Sequence, residues 1–122
     1  FLPDKIISSS AVRAKKTAEI FAKYAGNSPD IILDPNLYSS DPGAYIHSVK
    51  NNCGNSESLI LIGHSPVIED VLSMLISGNG CPVKTAMPTA SVACLESEIE
   101  AWQEIAPGLF SLEWLLIPKL LR

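Results

Sequence analysis

The sequence predicts an α/β fold, a three-layer α/β/α sandwich with a mostly parallel sheet. Short apolar runs alternate along the chain with longer segments of helical spacing, which is typical of this class. The run LILI at residues 59–62 shows no polar alternation. A central parallel strand has this pattern because helices cover both of its faces.

In the first half of the chain, DKIISSS at residues 4–10 predicts a strand, and residues 10–27 predict a helix. Ser9 or Ser10 can cap the start of this helix and Gly26 can end it. The helical spacing places four apolar residues on one face: Ala14, Ala18, Phe21 and Ala25. A short strand is then expected at 31–33, and the Pro-, Asn-, Asp- and Ser-rich stretch up to residue 43 predicts a loop.

In the second half, residues 44–51 predict a short helix and residues 58–63 the buried strand. Residues 66–76 carry an apolar helical face, with Pro66 in a position that the first turn tolerates. Two last strands, at 89–98 and 110–119, can pair antiparallel at one side of the sheet. A central strand at 58–63 needs neighbours on both edges, and few strands are available to provide them.

Composition excludes several classes of function. The chain has 122 residues, enough for one domain, and a net charge of −4 argues against a nucleic-acid partner. Its three cysteines lack the spacing of a zinc site or a disulfide framework, which favours reduced, inert thiols and a cytoplasmic location. No apolar run approaches the roughly 20 residues of a membrane span, so no membrane partner is expected.

Two strand-to-helix junctions carry cationic side chains. Arg13 lies about one turn inside the first helix, and His64 directly follows the buried strand. Helix starts present free N–H groups that favour an anion, and parallel strands place their carboxyl ends at one edge of the sheet. Both residues can therefore bind the same anion, although Arg13 can equally be a surface residue and His64 a buried residue bonded to a carbonyl.

The stretch GHSPV also resembles part of the G-x-S-x-G elbow of serine hydrolases, with Ser65 as nucleophile. Val67 replaces the last glycine, no histidine follows His64, and the chain is short for that fold. This alternative is therefore rejected.

Four segments together resemble one family. IISSSAVRAKKTAEIFA is similar to the family segment S-S-P-x-x-R-A-x-x-T-A-E, and LILIGHSPVIEDVL to its hydrophobic-G-H-N-P segment. MPTASVACLE and WQEIAPGLFSLEWLLIPK are similar to its closing segments. The chain thus resembles the histidine phosphatase superfamily, which has the phosphoglycerate mutase-like fold, and within it the small SixA-type phosphohistidine phosphatases.

The resemblance implies a phosphate pocket without metal or cofactor. Arg13 and His64 would be its catalytic residues and would hold the transferred phosphoryl group. The Ser9 hydroxyl would assist, and backbone donors would come from the loop at Thr89 and Ala90. Such donors neutralise the charge on the phosphoryl oxygens in the transition state.

The general acid is less defined. A carboxyl group at the mouth of the pocket would protonate the leaving group. Asp41 is the candidate, since the related region of larger relatives carries the acid, and its alternative role is to shape a turn. Three other carboxylates compete with it: Asp34, Glu69 and Asp70.

The sequence departs from the family at three points. Ser10 stands where the family usually has proline, and Ser65 where it usually has asparagine. The nucleophilic histidine of the family, in an R-H-G triplet, is absent, and His47 matches no family motif. We therefore expect residues 1–122 to be the carboxyl part of one such domain, without its first strand and helix, and to be inactive alone.

The intact protein is expected to be a metal-independent phosphohistidine phosphatase that acts through a phosphohistidine intermediate. Its expected partner is a phosphorylated signalling or phosphotransfer protein, such as a histidine-containing phosphotransfer domain, because a small site without a lid suits a residue displayed on another protein. The alternatives are a phosphatase for small phosphomonoesters and a non-catalytic phosphate-binding or interaction module.

Overall fold

The computed structural model describes residues 3–26, 29–39, 41–78 and 92–116. Strands and α-helices alternate through the first two thirds of the chain, as the sequence predicts. The elements are β1 (Lys5–Ser9), α1 (Val12–Tyr24), β2 (Asp30–Asp34), a 3-10 helix (Pro35–Tyr38), α2 (Pro42–Asn52), β3 (Leu59–Ile62), α3 (Val67–Ser77), β4 (Val92–Ser97), a second 3-10 helix (Trp102–Glu104) and β5 (Phe110–Leu116).

The main sheet is parallel, with the strand order β2-β1-β3. The last two strands pair antiparallel, as predicted, with an irregularity between Cys94 and Leu95. They form a separate two-stranded sheet, so within the described residues they do not extend the main sheet. The sequence predicts these strands at one side of the main sheet, but in the described residues no ladder of hydrogen bonds joins them to it.

Helices cover both faces of the main sheet. Ile6 and Ile7 of β1 are both fully buried, and neighbouring residues of a strand point to opposite faces. Ile7 packs in one cluster with residues of α2 and α3, including Tyr45 and Val71, whereas Ile6 is not in this cluster. Helix α1 contacts all three strands and buries Ala14 and Ala18. The predicted three layers are confirmed.

Strand β3 differs from its prediction. All four of its residues are half-buried, so the prediction of a fully buried strand was wrong. The physical reason is that, in the described part of the chain, β3 pairs with β1 alone and one of its edges has no neighbouring strand. An apolar run indicates that a strand favours burial. It does not indicate how many neighbouring elements are present to bury it.

The ends of the helices agree with the sequence in part. The residue that precedes α1 is Ala11, whose side chain cannot cap, so the prediction of a serine at that position was wrong. Ser9 instead stabilises the turn before the helix, because its Oγ accepts a hydrogen bond from the Ala11 N–H at 3.2 Å. Gly26 follows the end of α1 with φ of +49°, a conformation that suits glycine.

Two of the sequence expectations concern thiols and membranes. Cys53 and Cys94 are free thiols, Cys53 being fully buried, while Cys81 lies outside the described residues. None of the helices in the described ranges is long and apolar enough to cross a bilayer.

Candidate active site

The candidate site lies at the carboxyl edge of the parallel sheet. Ser8 of β1 pairs with Ile62 of β3, so the two strands end side by side. Adjacent strands are about 4.8 Å apart, and α/β proteins bind ligands at this edge. The β1–α1 junction, which carries Ser9 and Arg13, is therefore brought next to the β3–α3 junction, which carries His64.

Two buried serines build the β1–α1 junction. The Ser8 Oγ donates a hydrogen bond to the Ser9 carbonyl at 2.8 Å. The Ser9 Oγ accepts one from the Ala11 N–H, and both side chains are fully buried. Because these bonds satisfy buried polar groups at the turn, they fix the direction in which α1 leaves the sheet. Arg13 then occupies the second position of α1, where its side chain is exposed.

The start of α1 is unusually cationic for an acidic protein. Arg13, Lys15 and Lys16 all lie within its first five residues, all are exposed, and the first turn contains no acidic residue. A helix N-terminus carries partial positive charge, so cations there are unfavourable unless an anion is bound nearby. The distribution of charge therefore favours an external anion at this end of α1.

The β3–α3 junction holds His64 by its backbone. The Ile68 N–H donates to the His64 carbonyl at 2.9 Å, which ties the residue to the first turn of α3. The Ser65 Oγ donates to Glu69 Oε1 at 2.8 Å across the same turn. The His64 side chain is exposed, so the alternative of a buried histidine is wrong. An exposed imidazole at the end of a strand is accessible to a ligand.

Sequence reasoning missed one residue of this junction, Tyr45. Its side chain is fully buried, and its phenol ring lies against the backbone of Gly63, the residue before His64. The glycine itself was the available signal, because a glycine at the end of a strand often marks a close approach by another group.

The candidate acid Asp41 lies at the start of α2. Its Oδ1 accepts a hydrogen bond from the Gly43 N–H at 3.0 Å and so caps the helix. The carboxylate is exposed and lines an open polar depression of about 450 Å³. This depression also contains His47 of α2, and its lining includes none of Ser9, Arg13 and His64. The described contacts therefore do not bring Asp41 together with the other candidates.

The competing carboxylates also have structural partners. Asp34 accepts hydrogen bonds from the Asn36 N–H at 3.0 Å and from the buried Ser48 hydroxyl at 2.6 Å. Glu69 accepts the bond from Ser65 described above, and Asp70 is exposed in the first turn of α3. Of these carboxylates, Asp34 is the most firmly engaged, because both of its oxygens are bonded.

Two predicted residues lie outside the described part of the chain. Thr89 and Ala90, the expected backbone donors of the pocket, fall in the range 79–91, which the structure does not describe. Among the described residues, no group of three or more histidine, cysteine, aspartate or glutamate side chains could hold a metal ion.

Two solved structures share this architecture. The protein histidine phosphatase SixA complexed with tungstate matches with a TM-score of 0.66 and 19% identity, covering 97% of this chain and 70% of that chain. A putative phosphohistidine phosphatase SixA from Nakamurella multipartitia matches with a TM-score of 0.78 and 17% identity, covering 95% and 71%. The chain has the SixA fold. The predicted phosphoglycerate mutase-like fold is thereby confirmed.

The chain is also similar in sequence to two curated proteins. Two uncharacterized proteins of Mycobacterium tuberculosis, MT1313 of strain CDC 1551 / Oshkosh and Rv1276c of strain H37Rv, are each 25% identical to this chain. Each alignment covers 95% of this chain and 74% of the relative. No protein-family model matches the chain. Similarity to these uncharacterized proteins assigns no activity to this chain.

Proposed function

We propose that this protein is a phosphatase of the SixA type that removes the phosphoryl group from a phosphorylated histidine on another protein. Arg13 and His64 hold the phosphoryl oxygens, and the backbone at Thr89 and Ala90 adds further donors. The Ser9 hydroxyl, which is buried and accepts the Ala11 N–H, shapes the turn that leads to Arg13. The observation that carries the proposal is the parallel register of β1 and β3, which sets the Arg13 and His64 junctions side by side at a ligand-binding edge.

The proposed reaction has two steps. A histidine nitrogen of the enzyme attacks phosphorus, the P–N bond of the substrate breaks, and the leaving imidazole takes a proton from Asp41 or from water. Water then attacks the phosphoenzyme, the second P–N bond breaks, and inorganic phosphate is released with a neutral histidine. The guanidinium of Arg13 can bind two oxygens in a fork, while a protonated His64 donates one charge-assisted bond.

Three findings support this reaction class. The first turn of α1 carries cations and no acid, which suits a bound oxyanion. His64 is exposed at the end of its strand, directly before α3. One of the two SixA structures with this fold is a complex with tungstate, a tetrahedral oxyanion similar in shape to phosphate.

The attacking histidine is proposed to lie outside these 122 residues. The chain contains two histidines, of which His64 is assigned to charge stabilisation and His47 lies on the exposed side of α2. Residues 1–122 alone should therefore bind an oxyanion without turning over a phosphohistidine. The product of the complete reading frame should turn it over.

A substrate panel tests the proposal. The product of the complete reading frame would be assayed for phosphate release from a phosphorylated histidine-containing phosphotransfer protein and from small phosphomonoesters, with residues 1–122 in parallel. We expect kcat/KM to be highest for the phosphohistidine protein. A strong preference for the small esters would assign the protein to metabolite phosphatases, and no release from any substrate would contradict the enzymatic proposal.

A further inference from the structure

The hydroxyl of Tyr45 lies between the 3-10 helix that follows β2 and the residue that follows β3. Tyr45 is on α2, its side chain is fully buried, and its ring belongs to the main core cluster. Its Oη donates a long hydrogen bond of 3.4 Å to the carbonyl of Leu37. Leu37 is buried in the 3-10 helix that directly follows β2. One side of the hydroxyl is thus anchored to the 3-10 helix after β2.

The other side of the phenol contacts the end of β3. A methyl group added to Gly63 would overlap the Tyr45 hydroxyl and would lie 2.7 Å from its Cζ, well inside van der Waals contact. Gly63 is not among the glycines with positive φ, so its backbone is one that other residues adopt. The requirement for glycine at position 63 therefore comes from the closeness of Tyr45 and not from the conformation of the chain.

A hydrogen bond connects the Tyr45 hydroxyl to the backbone of His64. Burial raises the pKa of Tyr45 above its ordinary value of 10.0, and a backbone hydrogen bond with His64 lowers it, the effect of burial being larger. The hydroxyl is therefore neutral at physiological pH. A neutral phenol can donate to the Leu37 carbonyl while its oxygen accepts from the His64 amide.

We propose that Tyr45 is the positioning residue of His64, because its hydroxyl joins the Leu37 carbonyl to the Gly63–His64 peptide. Fixing this peptide fixes the Cα–Cβ direction of His64 and hence where its imidazole can reach. Tyr45 itself is buried beneath the site and contacts no substrate. The inference rests on the proposed function for its catalytic consequence, since a stabilising donor must be placed to within a fraction of an ångström.

Nuclear magnetic resonance of the wild-type chain tests the contact directly. The Tyr45 ring protons should show a strong nuclear Overhauser effect to the Gly63 Hα protons. This measurement needs no variant, so it stays decisive even where a substitution prevents folding. Absence of the effect in a folded, assigned protein would overturn the proposal.

Tyr45→Phe then tests positioning, because it removes the oxygen and keeps the ring. We expect the His64 amide resonance to move and tungstate to bind about threefold to tenfold more weakly, with cooperative unfolding retained. Tyr38→Phe is the matched control, since Tyr38 lies on the same 3-10 helix as Leu37 with 61% of its surface exposed. It should change neither quantity. An unchanged His64 amide and unchanged tungstate affinity in Tyr45→Phe would overturn the proposal.

The two proposals fail in different ways. If the wild-type chain binds no tungstate and the complete protein releases no phosphate, the proposed function is contradicted. The Overhauser effect and the shift of the His64 amide still decide whether Tyr45 sets that peptide. In the complete protein, Tyr45→Phe should lower kcat more than it raises KM, because the displaced donor acts mainly in the transition state.

Discussion

Ser8 of β1 stands level with Ile62 of β3 in a parallel register, and each residue is followed within two positions by a group of the candidate site. Ser9 comes one residue after Ser8, and His64 comes two residues after Ile62. A slip of one residue would turn every side chain of the strand to the opposite face. The register of β1 and β3 therefore determines which groups meet at the edge.

Asp41 can be tested as an acid separately from its role as a helix cap. Asp41→Asn keeps an oxygen that accepts the Gly43 N–H but cannot donate a proton at neutral pH, whereas Asp41→Ala loses both functions. If Asp41 protonates the leaving group, both variants should lose turnover by about 100-fold or more. Only Asp41→Ala should lose stability, by about 1 kcal/mol.

The measurements are phosphate release by the complete protein and urea unfolding. Asp30→Asn is the matched control. Asp30 is also an exposed carboxylate, but it lies at the start of β2, whereas Asp41 follows the end of that strand. Wild-type turnover in Asp41→Asn would assign Asp41 to the helix cap alone.

The raised pKa of Tyr45 predicts a specific loss of stability in alkali. In the unfolded chain the phenol ionises near its ordinary pKa of 10.0, whereas in the folded protein burial keeps it neutral to higher pH. The stability that this difference provides is complete below pH 10.0 and declines as the pH rises towards the folded pKa. Other groups titrate in the same range, so the difference between the wild type and Tyr45→Phe isolates the contribution of Tyr45.

Urea unfolding at a series of pH values checks this prediction. The free energy of unfolding of the wild type should fall more steeply above about pH 10 than that of Tyr45→Phe. Curves that stay parallel throughout would show that the phenol has the same pKa in both states.

Ser9→Ala should weaken the turn that leads to Arg13. The substitution removes the oxygen that accepts the Ala11 N–H and leaves that donor without its side-chain partner. We expect a loss of about 1–2 kcal/mol in the free energy of unfolding, measured in urea. Ser10→Ala is the control, because Ser10 is only half-buried, and it should change stability by less than about 0.5 kcal/mol. Equal losses in the two variants would contradict the specific role of Ser9.

Much of the fold was predictable because its signals are local. Alternating apolar runs and helical spacing located β1, α1, β3 and α3, and the polar ends of β1 and β3 located Arg13 and His64 at one edge of a parallel sheet. The motif resemblance named the fold that the two SixA structures confirm. These inferences depend on residues close together in sequence, where pattern and structure are directly linked.

The remainder depends on contacts between distant residues. Gly63 is specified by Tyr45, 18 positions earlier in the sequence, and no local pattern predicts that contact. Likewise, Ser9 bonds the N–H of Ala11, the residue before α1, and no side chain caps the start of this helix. The half-buried state of β3 depends on what lies beside it in space, which an apolar run does not encode.

The central claim is that Arg13 and His64 hold the same oxyanion, and a double-mutant cycle of tungstate affinity tests it most directly. Isothermal titration calorimetry would compare the wild type with Arg13→Ala, His64→Ala and the double variant. Lys23→Ala, in the last turn of α1, and His47→Ala would serve as controls for charge and for histidine. Each single substitution at the site should weaken binding about 10- to 100-fold, the two losses should be non-additive, and the controls should bind like the wild type. Wild-type affinity in either Arg13→Ala or His64→Ala, or two purely additive losses, would contradict a shared site.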